Sequence, residues 1–128
     1  MTIDSSALVA IIFAEAGHLD LVDRVLEADH ARVGAPTLVE TSIVVAARSG
    51  KPISGIVEGV VEELGVTIVP FGEAEWRAAR DAYLRFGRGR HPAGLNFGDC
   101  LAYATALVAR DTLLYVGRDF GKTDIVAA

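Results

Sequence analysis

Four short runs of apolar and β-branched residues alternate along this chain with longer helical segments, and that alternation constrains the fold more than any other feature. The runs are Met1–Ile3, Ala31–Ala35, Val66–Val69 and Leu113–Val116, with Ile125-Val126 as a candidate fifth. Their hydrophobicity is continuous rather than alternating, so both faces of each strand need cover. The β-branched run Val66–Val69, bounded by Gly65 and Pro70, is expected to be a buried strand. Between the strands, Asp4-Ser5-Ser6 opens a helix through Ala7–Phe13 that Gly17 stops. A second helix, about His18–Ala28, carries Leu19, Val22 and Leu26 on one face. Pro36 and Thr37 open a third, which reaches Arg48 and ends at Gly50. Ser54–Leu64 is amphipathic, with Glu58, Glu62 and Glu63 outward, and Trp76, Ala79, Tyr83 and Phe86 recur as a helical core stripe. Gly87–Gly94 is a loop, and Asn96–Arg110 is the last helix. Strands separated by helices predict an α/β/α sandwich with a central, mostly parallel sheet of four to five strands. No repeat, low-complexity tract or linker interrupts the pattern, and 128 residues suit one domain spanning 1–128.

Composition narrows the class. An apolar share of 52% excludes intrinsic disorder. The longest apolar run, Ala7–Ala14, falls well short of the roughly 20 residues that span a bilayer. No basic stretch precedes it, so a cytoplasmic location and no membrane association are expected. The single cysteine, Cys100, excludes an intramolecular disulfide framework and a CxxC zinc site. It follows Asp99 with no base beside it and reads as a small buried apolar residue. A net charge of -5 argues, taken alone, against a nucleic-acid partner.

The distribution of the acidic residues is more informative than their sum. In open α/β sheets, ligands bind at the carboxyl ends of the strands. Asp4 follows the first strand, and Asp119 follows the Leu113–Val116 strand in Gly117-Arg118-Asp119-Phe120-Gly121. Glu40 has Pro36, Ile43, Val44 and Ala47 as its helical neighbours, an apolar stripe where an ionised carboxylate costs several kcal/mol unless compensated. Asp99 lies in the first turn of its helix, next to Gly98 and in line with Ala102 and Ala106, small residues that leave room for a ligand. Each has a purely structural alternative. Asp4 caps a helix, Asn96-x-x-Asp99 is a capping box, Glu40 pairs with Arg48 or a more distant arginine, and Asp119 is a turn residue. If the four meet at one edge they need a cation, and oxygen-only ligands suit Mg²⁺ or Mn²⁺. Sites of that kind hydrolyse phosphodiesters.

The segments Ile3-Asp4-Ser5-Ser6-Ala7-Leu8, Pro36-Thr37-Leu38-Val39-Glu40, Asn96-Phe97-Gly98-Asp99-Cys100-Leu101-Ala102-Tyr103-Ala104 and Gly117-Arg118-Asp119-Phe120 resemble, in order and over essentially the whole chain, the PIN domain. Within that family the sequence is most similar to the VapC-type ribonuclease toxins of bacterial toxin–antitoxin pairs. The resemblance implies that Asp4, Glu40, Asp99 and Asp119 bind Mg²⁺ or Mn²⁺ for RNA cleavage, with Ser6 orienting the site. It also implies a VapB-like antitoxin that inserts a basic side chain among the carboxylates, and a homodimer. The apolar outer faces around Ile43–Ala47 and Ile56–Val61 are the expected contributors to the dimer. One position departs from the family. Many relatives carry a carboxylate two residues before the Asp-Phe pair, where this chain has Gly117. Asp119, helped by Asp124, then has to supply the fourth acidic group.

Other chemistry lacks support. There is no Gly-x-Ser-x-Gly elbow and no phosphate-binding glycine loop. A phosphatase of the haloacid-dehalogenase type wants a second Asp where Ser6 stands. His18, His30 and His91 have no metal spacing and read as surface or loop residues. Between Trp76 and Pro92, Arg77, Arg80, Arg85, Arg88 and Arg90 face the single acidic Asp81. Arg85, Arg88 and Arg90, joined by Arg118 and Lys122 beside Asp119, are the expected RNA-binding residues. The alternative to a metal-dependent endoribonuclease is a non-catalytic PIN-like binding module whose acidic cleft docks a basic partner segment.

Overall fold

The computed structural model describes residues 1–50 and 55–128. The elements run β1 (Thr2–Ile3), α1 (Ser5–Ile12), α2 (His18–Glu27), β2 (Arg32–Gly34), α3 (Ala35–Ser49), α4 (Ile56–Glu63), β3 (Thr67–Val69), α5 (Glu73–Phe86), α6 (Phe97–Ala109) and β4 (Leu113–Leu114), with a 3-10 turn over Phe120–Lys122. The start of the fourth helix expected from Ser54 lies outside the described residues.

All strand pairs are parallel, in the order β3-β2-β1-β4. The chain steps outward from β1 to β2 to β3, then returns to place β4 on the other side of β1. This reversal puts a topological switch between β1 and β4, where the carboxyl ends of adjacent strands diverge and leave a crevice. The predicted parallel α/β/α layering is therefore present, with four strands of the expected four to five. Successive strand residues point to opposite faces, and Leu113 and Leu114 join different cores. Leu113 packs with Phe86, Leu95, Tyr103 and Phe120 under α5 and α6. Leu114 packs with Ile3, Leu8, Val33 and Val61 under α1, α2 and α4.

α6 lies close to the sheet because its inner face is small. Ala102, Ala104 and Ala106 are fully buried, and a Cβ at Gly34 would lie 2.7 Å from the Thr105 Oγ1. That close approach sets Asp99, at the start of α6, over the carboxyl edge of the sheet.

Several sequence expectations need correction. Val66–Val69 does not form a buried strand: β3 is the sheet edge, and Ile68 is 53% exposed. β-branched residues favour any pleated surface and do not distinguish centre from edge. No fifth strand forms at Ile125-Val126; Leu113 bridges to Ala127 instead, with the Leu113 N–H donating to the Val126 carbonyl at 2.9 Å. α2 buries Leu21 and Val25 rather than Leu19 and Leu26, since its crowded apolar positions offer two overlapping stripes and the sheet takes the i,i+4 pair. Gly17 does not end α1, which closes at Ile12; it starts α2 in the left-handed conformation. In α5, Ala79, Ala82 and Phe86 are buried while Trp76 and Tyr83 are about half exposed. Close packing against the alanine face of α6 selects Ala79 and Ala82 for the contact line, with Phe86 buried at the helix end, and leaves Trp76 and Tyr83 at the rim.

Candidate active site

The site grows from the switch point. Asp4 leaves β1, and its N–H donates to the Leu114 carbonyl of β4 at 2.9 Å. Its side chain caps α1: Oδ2 accepts from the Ser6 N–H at 3.0 Å and from the Ser6 Oγ at 2.5 Å. Ser6 Oγ in turn accepts from the Val116 N–H at 3.0 Å, so the hydroxyl ties the first carboxylate to the loop after β4. Asp4 is only 2% exposed, yet its Oδ1 has no hydrogen-bond partner. The structural and functional readings of Asp4 thus occupy different oxygens of one carboxylate.

Glu40 projects from α3, and its Oε2 is also buried without a partner. It does not pair with Arg48, which binds Glu15 at 2.7 Å. The space beside Asp99 left by Gly98 is filled by the Glu40 carboxylate: a Cβ at Gly98 would land on Oε1, Oε2 and Cδ of Glu40. Asp99 completes a capping box, accepting from the Asn96 N–H at 2.8 Å through Oδ2 while its own N–H donates to Asn96 Oδ1 at 2.9 Å. Asp119 is exposed at the start of the 3-10 turn, near enough to add to the negative field on Asp99.

These carboxyls disturb one another. Burial pushes Asp4 above the usual carboxylate range, opposed by its bonds to Ser6 and reinforced by Asp99. Burial also raises Glu40, with Asp4 and Asp99 adding to it and the Ser5 hydroxyl working the other way. Asp99 is raised by burial and by Asp119, against the Asn96 hydrogen bond and the positive charge of Arg88. An acidic group of this kind takes up either protons or a cation. Among the described residues, no three His, Cys, Asp or Glu side chains form a ready-made ion cage. The donor set is nonetheless oxygen-only, as hard divalent cations require, and two of its oxygens are buried with nothing to bind. The residues therefore fit Mg²⁺ or Mn²⁺ by donor chemistry.

Asp124 is not brought to this group. It accepts from the Tyr103 hydroxyl at 2.5 Å and pairs with Arg85 at 2.7 Å. These bonds lower the Asp124 carboxyl below its usual value, while burial and the bond to Asp124 push Tyr103 up to about 12. Arg85 is therefore committed to a clamp between α5 and the C-terminal segment. Lys122 Nζ donates to the Pro92 carbonyl at 3.1 Å. Arg88, Arg90 and Arg118 are exposed, and none forms an ion pair among the described residues. Gly117 adopts a φ of +117°, in the region that favours glycine. The carboxylate missing from that position would strain this backbone. The helical spacing of Trp76 predicts core, yet it is half exposed, and Phe97, at the first turn of α6, is 80% exposed. An aromatic residue immediately before Gly98-Asp99 was the available signal.

A parallel α/β/α sheet with a buried Asp4 and the partly buried Glu40 and Asp99 acting on one another at its switch point sets the class: the chain matches the PIN domain over residues 1–126 and belongs to that family. Its relatives within the family are VapC ribonucleases. Ribonuclease VapC36 of Mycobacterium tuberculosis is 43% identical over 126 residues, covering 98% of this chain and 91% of the relative. Ribonuclease VapC28 of the same organism is 41% identical over 129 residues, covering 100% and 97%. Ribonuclease VapC of Mycolicibacterium smegmatis is 39% identical over 128 residues, covering 99% and 98%. Among solved structures, Mycobacterium tuberculosis VapC20, described as a sarcin-ricin loop cleaving toxin, shares the fold at a TM-score of 0.75. It is 16% identical, and the match covers 99% of this chain and 97% of that one. A toxin–antitoxin complex from Klebsiella pneumoniae contains a chain of the same fold, with a TM-score of 0.72 and 14% identity, covering 99% and 95%. No described helix is long and apolar enough to cross a membrane.

Proposed function

We propose that the chain is a divalent-metal-dependent endoribonuclease, the toxin of a toxin–antitoxin pair, that hydrolyses RNA phosphodiester bonds. The observation that carries the reading is the meeting of Asp4, Glu40 and Asp99 at the β1/β4 switch, with buried oxygens on Asp4 and Glu40 left without partners. The names of the VapC relatives support it. Asp4 and Asp99 hold the principal ion, Glu40 and Asp119 complete its surroundings, and the ion is Mg²⁺ or Mn²⁺. When bound, such an ion polarises a phosphoryl oxygen and lowers the pKa of coordinated water. The protein does the positioning. Ser6 fixes Oδ2 of Asp4, which leaves Oδ1 buried and free to bind. The Asn96 capping box fixes Asp99, and Glu40 is held against Gly98. Arg88, Arg90 and Arg118 supply positive charge for the RNA backbone, with Arg88 also acting on Asp99.

In this reading a VapB-like antitoxin covers the acidic cleft with a basic side chain, in line with the fold shared with the toxin–antitoxin complex, and the chain forms a homodimer. The deciding experiment is RNA cleavage with Mg²⁺ or Mn²⁺, alongside Asp4→Asn and Asp99→Asn. Cleavage that needs the ion and is lost in both variants is expected; undiminished cleavage in both removes the assignment. Gly117, at the position where many relatives carry a carboxylate, favours a second reading, a non-catalytic module that docks a basic segment. Calorimetry separates the two, because the module has no need to bind Mn²⁺.

A further inference from the structure

Beside the acidic group lies a second concavity that the cleavage chemistry does not use. Its volume is about 400 Å³, and Phe71, Trp76, Tyr83, Phe97, Arg80 and Cys100 are among the residues that line it. A cavity of this size is within the range of small-ligand sites. Trp76 is 54% exposed, Tyr83 44% and Phe97 80%, an unusual concentration of half-open aromatic rings. Arginines attend them: Arg77 and Arg80 lie 5.3 and 5.7 Å from the Trp76 ring centre, and Arg90 lies 5.5 Å from that of Tyr83. Phe97 also lines the adjoining cleft that holds Glu40 and Gly98, so a single residue borders both spaces.

We propose that this aromatic pocket is a base-stacking subsite, which seats an unpaired nucleobase of the RNA next to the phosphodiester bond presented to Asp4, Glu40 and Asp99. The proposal rests on the ribonuclease reading and extends it to single-stranded substrate. Aromatic faces stack bases with little sequence preference, and arginines beside them hold the phosphates. Charge selects this occupant. Arg77 and Arg80 are paired with Glu73 and Asp81, but Arg90, over Tyr83, has no ion pair among the described residues and no carboxylate is among the lining residues. The larger groove between α3 and α4, about 710 Å³, includes Glu58 and Glu62 in its walls and repels a polyanion.

Trp76 is the sole tryptophan, so its fluorescence reports the pocket directly. Wild-type protein in EDTA is titrated with a short single-stranded RNA and with an abasic oligonucleotide of equal length and charge. Quenching by the RNA but not by the abasic chain is expected. In the cleavage assay Trp76→Ala and Phe97→Ala raise KM by roughly 5- to 100-fold with kcat nearly unchanged, and Trp76→Phe, which keeps an aromatic face, restores it. Equal quenching by both oligonucleotides overturns the proposal. So does an unchanged KM accompanied by a changed sedimentation mass, the mark of a protein interface. Cleavage without base-dependent quenching removes the subsite and leaves the nuclease. Base-dependent quenching by a chain that never cleaves keeps the subsite and removes the nuclease.

Discussion

Replacing Gly98 by alanine separates folding from chemistry at this site. The new methyl group would occupy the volume that the Glu40 carboxylate now fills. α6 is helical at that position, so the substitution itself gains about 0.5–1 kcal/mol of helix propensity. The group it strikes is the free end of a side chain, which can swing away without backbone movement. To regain ordinary contact the carboxylate has to retreat by roughly 1–1.5 Å. A retreat from α6 also eases its repulsion with Asp99, which acts on Glu40 in the wild type. Metal-free Gly98→Ala should therefore be as stable as the wild type, or more so by about 1 kcal/mol. A misplacement of about 1 Å costs on the order of 100-fold in rate. Thermal unfolding in EDTA measures the first effect, and Mn²⁺ calorimetry with cleavage of a fluorogenic RNA measures the second. Adding Glu40→Asp, which shortens the displaced side chain, should recover part of the lost ion affinity. Wild-type Mn²⁺ affinity and cleavage in Gly98→Ala would refute the reasoning, because the contact between Glu40 and α6 would then have no bearing on the site.

Two further outcomes follow from the same electrostatics. Asp4, Glu40 and Asp99 hold protons more tightly folded than unfolded. Without metal, their contribution to stability is complete below the unfolded carboxylate range, about pH 4, and is lost as pH rises through their raised folded values. Asp124 has the opposite sign: its contribution is present above the unfolded value and lost as pH falls through its lowered folded one. Melting in EDTA should give a higher Tm at about pH 5 than at about pH 8, with the difference reduced in Asp4→Asn and offset by Mn²⁺ in the wild type; a Tm that rises steadily over that interval contradicts this. Tyr103→Phe removes the hydroxyl that donates to Asp124 and leaves the exposed Arg85 pair. A loss of about 1–2 kcal/mol in urea unfolding is expected, and an unchanged midpoint would mean that the clamp contributes nothing.

The chain order of strands and helices could be read from the sequence because each element carries its own periodicity and its own end signals. Asp4 before Ser5, Asn96 three residues before Asp99, and Gly50 after α3 all act within one turn of backbone. Such signals are local and survive without knowledge of neighbours. The carboxylates proposed for the site stand out in the sequence for a related reason. Asp4 and Asp119 follow strands, and Glu40 interrupts an apolar stripe where a charge has a cost.

Tertiary structure decided which neighbour each element meets. Sheet position put β3 at an exposed edge, and nothing in Val66–Val69 distinguishes edge from centre. The tight approach of α5 to α6 turned Trp76 and Tyr83 outward, although their spacing alone reads as core. Asp124 and Asp119 are both acidic residues near the C-terminus. Only the packed chain gives the first to Tyr103 and Arg85 and leaves the second near Asp99. Sequence by itself determined residue chemistry, helix ends and the parallel α/β plan, because these depend on contacts a few residues apart. The pairing of Glu40 with Gly98, and the aromatic pocket beside them, depend on long-range packing that no local pattern encodes.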